Sequence, residues 1–218
     1  MLTNFQALAI ASLCFFALWF PLQLVCHLKK TGYNPLVNAV SDYGSHPATR
    51  IFALCAWWTT AIGAALLTAS ADYVFTAFHV QNRSATPGIA CLGVFASARF
   101  LTSVFPNLVR NNPPEGQDPN SEKAQISTLL HVIFALVSFA SIAIASILLS
   151  KACEDPGLSA TVLGQNQKSL YGVAIFVCVC LAAMILGRIA RIFGLAERLF
   201  YFAFFVWLFL FASLIAIV

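Results

Sequence analysis

Asp42, Arg99 and His131 stand at the ends of very apolar segments, with Ser41, Tyr43 and Gly44 beside the first of them. Asp and His are side chains that exchange protons or ligate metals, and Arg presents a planar fork that matches a carboxylate or a phosphate. The chain is 60% hydrophobic and only 9% charged, with a mean hydropathy of +0.85. In such surroundings an ionisable group near a span is costly and calls for a partner or a task. The expected assignment makes Asp42 and His131 an acid–base or metal-binding pair. Asn34, Ser41 and Arg99 are then the ligand-binding groups.

Each of these residues also has a structural reading. Arg99 lies seven residues before Pro106, roughly 10 Å inside a helix end. It either snorkels to the interface or turns inward to Asp42 or an anionic head group. Asp42 suits a helix cap or a turn held through its own backbone. His131 shares a helical face with Ser127 and Thr128, four and three residues earlier, as a polar stripe at the mouth of a bundle or as a cap of its helix. A three-ligand zinc site from His27 or His46, Asp42 and His131 is conceivable, although no spacing demands it. The residues name no cofactor.

The elements that must position these groups are membrane spans. A soluble domain carries roughly a quarter charged residues, and apolar runs of about 20 residues suffice to cross a bilayer. Six such runs are present: Phe5–Cys26, Ile51–Ser70, Pro87–Pro106, Leu129–Ser150, Ser169–Leu186 and Leu199–Val218. They are continuously apolar rather than alternating, which excludes barrel strands and leaves helices to satisfy the backbone in lipid. The expected architecture is all-α, a single six-helix transmembrane domain over residues 1–218. The first run is longer than the apolar core of a secretory signal and reads as a retained helix.

Lys and Arg distribution orients the bundle. The first, third and fifth connections carry eight of them and the second and fourth carry three, which predicts odd connections in the cytoplasm and both termini outside, in an inner or plasma membrane. Seven cysteines lie mostly in spans and imply no disulfide framework. Residues 72–86 read as an extension of the second helix or an interfacial segment, and the polar, proline-rich 107–125 reads as a flap or solvated turn. Arg188 and Arg191 are expected on one helical face as positive-inside anchors. The small residues Ser138, Ser141, Ala143, Ala145 and Ser146 suggest that the fourth span is the central helix.

Asn34-Pro35 followed by Ser41-Asp42-Tyr43-Gly44, then Arg99-x5-Phe105-Pro106, then a polar loop leading to Thr128-x2-His131, resembles the six-span membrane proteins of domain of unknown function 998. The resemblance covers essentially the whole chain and implies the six-helix fold without an activity. Members tend to carry an Asp after Phe-Pro-Thr, whereas this chain reads Phe105-Pro106-Asn107-Leu108. That departure removes one acidic group and weakens any inference of a catalytic aspartate in the loop.

The functional expectation is a cytoplasm-facing polar recess that binds a lipid head group or a small amphiphile. Alternatives are a membrane-embedded hydrolase or transferase acting on a lipid, and a structural or partner-binding bundle. Membrane lipids are the expected partners, and nucleic acid is not. A transporter is disfavoured because the polar groups cluster near one face rather than the bilayer midplane.

Overall fold

The computed structural model describes residues 3–105, 107 and 121–218. Six long helices dominate: α1 (Asn4–Leu28), α2 (Arg50–Ala77), α3 (Ala85–Val104), α4 (Glu122–Ala152), α6 (Gln167–Gly187) and α7 (Phe193–Ala216). A short α5 (Val162–Gln165) and two 3-10 turns, Val40–Gly44 and Pro156–Leu158, lie in the connections. The described residues contain no strand, and all six long helices have the length and apolarity to cross a membrane. The protein is a multi-pass integral membrane protein.

Helix ends follow local chemistry. At α1 the Thr3 hydroxyl accepts from Gln6 N while the Gln6 side chain accepts from Thr3 N at 2.9 Å, a reciprocal cap. At α4 the hydroxyl of Ser121 accepts from Ala124 N. The cap of α4 is therefore Ser121 and not His131, which lies nine residues inside the helix. With 31 residues, α4 is roughly 46 Å long against a hydrocarbon core of about 30 Å. Its polar first turns extend past the apolar layer, an extension hidden from a reading based on apolar runs. On the other side, α2 continues to Ala77, as an extension of the second helix predicts.

The helices pack as a ring in the order α1, α2, α3, α4, α6, α7, with α7 closing against α1. The centre belongs to α7 rather than to α4: α7 buries the largest share of its apolar window. Its Phe200, Phe204, Phe205, Trp207 and Phe211 are fully buried, and Phe205, Phe204 and Phe200 meet Phe16, Phe95 and Phe139 edge-on, in that order. Aromatic rings supply more buried area than the small residues of α4. Two serines of α4 instead satisfy themselves locally: Ser146 and Ser150 donate to carbonyls of their own helix, and Ser150 also accepts from Trp207 Nε1 at 3.2 Å.

Alternating helix directions gather the first, third and fifth connections at one end of the bundle. At the other end a single carboxylate joins two connections. Asp155 accepts from the backbone N–H groups of Gly157, Gln81 and Asn82 at 2.8–2.9 Å. The last stretch before α7 is a turn in which Arg191 adopts a left-handed φ of +57°, so Arg188 and Arg191 do not share a helical face. Of the flap expected at 107–125, residues 108–120 lie outside the described residues, and Glu122 to Gln125 form the first turn of α4 instead.

Candidate functional site

At the end of the bundle that carries the odd connections, a cavity of about 360 Å³ opens between α3, α4, α6 and α7. Its polar wall brings together Ser41, Arg99, His131, Glu197 and Tyr201, with Trp57 of α2 and Asn107 closing the side nearest the first connection.

Arg99 is only 1% exposed, so it turns inward rather than snorkelling. Its partner is not Asp42. Nη1 donates to the Tyr201 hydroxyl at 2.9 Å, and the guanidinium stands 5.2 Å from the centroid of that ring. Nε and Nη2 are buried and have no hydrogen-bond partner. A buried cation with two unused donors is an expensive arrangement unless something else completes it.

His131 is 2% exposed. Its Nδ1 lies 2.7 Å from the carbonyl of Phe105, and since a carbonyl only accepts, Nδ1 carries the proton and Nε2 is left over. That Nε2 is buried and unpartnered. The Trp57 ring, 5.7 Å away, holds the imidazole from the other side. Trp57 in turn rests on Gly44, where a Cβ would run into its six-membered ring. This contact explains why the tetrad of residues 41–44 ends in glycine.

Glu197 is buried on the first turns of α7 and accepts from Val40 N at 2.6 Å. Its neighbour Arg198 donates from Nη1 to the carbonyls of Pro35, Asn38 and Gly194. Together they pin the first connection onto α7. Neither these two residues nor Tyr201 and Trp57 belong to the expected site. The signal was present, because Glu197 is a lone carboxylate one turn before Tyr201, but a sixth span beginning at Leu199 places it in a solvated connection.

Asp42 serves the frame of the site. Oδ2 accepts from Ala39 N at 2.9 Å and from Asn38 Nδ2 at 3.2 Å, and Oδ1 accepts from Asn107 Nδ2 at 3.3 Å. Burial pushes its carboxyl above the usual carboxylate range, and the hydrogen bonds from Asn38 and Ala39 together with the charge of Arg198 pull the other way. Asp42 does not line the cavity, although its partner Asn107 does. Asn34 is exposed and also off the cavity wall, where its Oδ1 accepts from Leu36 N to form a turn.

The conceivable zinc site does not assemble. Among the described residues no group of three or more His, Cys, Asp or Glu side chains is placed to hold a metal ion. His27 Nδ1 is engaged by the Tyr43 hydroxyl at 2.8 Å, and His46 Nδ1 accepts from Ala48 N.

The arrangement offers unpaired donors at one end and hydrocarbon at the other. Arg188, at the cavity wall beside Phe193, adds a second cation to Arg99, against the single lining carboxylate Glu197 among the described residues. The family model described as "Protein of unknown function (DUF998)" matches residues 9–214. No curated protein and no solved structure matches the chain.

Proposed function

The chain belongs to the DUF998 family, and since that membership carries no activity, we propose a function from the site: the cavity binds the anionic head group of a membrane amphiphile. A phosphate or carboxylate oxygen placed between Nε and Nη2 of Arg99 completes the guanidinium in the fork geometry that suits such anions. His131 Nε2, an acceptor in this tautomer, takes a hydrogen bond from a hydroxyl of the head group, and the apolar wall receives the start of the chain. Asp42 and Ser41 shape the rim, with Asp42 holding Asn107 rather than touching the ligand. The bundle end with most Lys and Arg is taken as the cytoplasmic one.

The observation that carries this reading is the pair of buried, unpartnered N–H groups on Arg99. A hydrogen bond to a charged group contributes about 1.5–3 kcal/mol, so Arg99→Gln is expected to weaken retention of an anionic lipid by roughly ten- to a hundredfold. Native mass spectrometry of the protein in mild detergent, titrated with phosphatidic acid, measures this. Equal retention by wild type and Arg99→Gln sinks the reading.

A second reading makes the site a hydrolase or transferase acting on that lipid. It is favoured by His131, whose imidazole is oriented by the Phe105 carbonyl and presents a free Nε2 as a general base does. Absence of phospholipid turnover by the wild type removes this alternative and leaves binding, and turnover that survives in His131→Ala removes His131 as the base.

A further inference from the structure

The apolar wall of the cavity carries exposed side chains. Val132 and Leu136 of α4 and Met184 and Ile185 of α6 form its apolar wall. Leu136 is 58% exposed and Ile185 62%, so side chains that line the cavity also face the outside of the bundle. Measured along the helices from the opposite end of the bundle, Leu136 stands roughly 24 Å in and Ile185 roughly 27 Å, both within a hydrocarbon layer of about 30 Å. The outside at that depth is lipid. Arg99 stands at nearly the same level, roughly 21 Å along α3, so the seam between α4 and α6 leads sideways from the bilayer to the guanidinium. That seam is also less extensive than the α3–α4 and α6–α7 seams on either side of it.

Size points the same way. A volume of about 360 Å³ is at the small end of the roughly 300–1,000 Å³ that holds a drug-sized ligand. It accommodates a head group and the first part of a chain, and the remainder must leave the cavity through a wall that tolerates hydrocarbon.

Resting on the anion-binding reading of the same cavity, we propose that the occupant is a bilayer-resident anionic lipid that slides in between α4 and α6. Its head group meets Arg99 while its chain lies between Leu136 and Ile185 and continues into the leaflet. The two cations, Arg99 and Arg188, against one lining carboxylate select a negative head. A seam without ionisable side chains admits a chain and turns away hydrated ions.

The test uses the full chain and two probes. One is long-chain phosphatidic acid presented in phosphatidylcholine vesicles, and the other is inorganic phosphate, which has no chain to pass the seam. Leu136→Trp and Ile185→Trp narrow the seam at positions that already face lipid and leave the polar wall untouched. Loading, followed by native mass spectrometry over time, is expected to slow by about tenfold or more for the long-chain probe, while the affinity for inorganic phosphate, which meets Arg99 and has no chain, stays at the wild-type value. Unchanged loading of the long-chain probe in both variants overturns the lateral route. A parallel loss with both probes also overturns it, because the cavity rather than the path is then affected. If wild type takes up neither probe, the anion-binding reading fails and this inference falls with it. Arg99→Gln losing both probes while the tryptophan variants lose only one separates the two.

Discussion

Glu197 on α7 accepts the backbone N–H of Val40 at 2.6 Å, across 157 residues of sequence. This contact sets the 3-10 turn of residues 40–44 against the final helix and places Ser41 at the cavity wall. Glu197→Ala leaves that N–H without its acceptor and is expected to lower stability by about 1.5–3 kcal/mol, the range for a hydrogen bond to a charged group. Glu197→Gln keeps a carbonyl acceptor and is expected to recover most of the loss. Denaturant titration in detergent of the two variants against wild type checks both values.

Tyr201 is the acceptor that Arg99 Nη1 uses inside the protein. Tyr201→Phe preserves the ring beside the guanidinium and removes only the oxygen, which leaves one more buried donor unpaired at a cost of about 1–3 kcal/mol. Arg99→Met, which removes the charge with its unpaired donors, is expected to be less harmful to stability than Tyr201→Phe. Thermal melts of the two variants decide the order, and the reverse order argues against a strained guanidinium.

Asp42 gives a pH signature. Its carboxyl is raised by burial above the value it has in the unfolded chain, so the native state holds the proton more tightly. The stability from this group is then fully present below the unfolded value near 4 and is lost as pH rises through the raised native value. Asp42→Asn retains an acceptor for Ala39 N and has no charge to bury. Its stability is expected to stay flat across that window while wild type declines, as followed by unfolding at a series of pH values.

Asp155 behaves in the opposite direction. Three backbone N–H groups, from Gly157, Gln81 and Asn82, hold its carboxylate below the usual range. Stability from this clamp is present above the unfolded value and is lost as pH falls through the lowered native one. Asp155→Ala is expected to reduce the melting temperature at neutral pH and to remove part of the acid sensitivity. It is also expected to raise hydrogen exchange at Gln81 and Asn82, which localises the loss.

Gly44→Ala tests the packing behind His131. A Cβ at this position collides with Trp57, and overpacking of this kind costs about 1–3 kcal/mol. Because Trp57 packs against His131, the variant is expected to show altered indole fluorescence as well as lower stability. A melt and spectrum identical to wild type mean that the turn yields freely.

Composition and run length were enough to read the six helices, because lipid leaves the backbone no other way to pair and continuous apolar runs announce it. Arg99, His131 and Ser41 were legible as members of one polar end for the same reason. The inner partners were not. Arg99 pairs with Tyr201 rather than Asp42 because the register between α3 and α7 decides which polar group comes level with the guanidinium, and register is a property of packing. Glu197 was misplaced because a charged residue marks a boundary in a hydropathy reading, whereas here α7 begins four residues earlier and takes it inside. The prominence of α4 as the expected centre followed its small residues, and the rings of α7 outweigh them in buried area.

That α7 forms the core has a consequence for biogenesis. A ribosome delivers α1 through α6 before it delivers the most buried helix, which closes the ring between α6 and α1, so the earlier spans enter the membrane with that place open. During that interval Phe16, Phe95 and Phe139 have no facing ring from α7, and Arg99 lacks the hydroxyl it uses in the finished bundle. A chain stopped after α6 therefore displays an unaccompanied guanidinium at bilayer depth. Such a mark distinguishes an unfinished molecule from a finished one for any membrane quality-control protease that reads intramembrane charge.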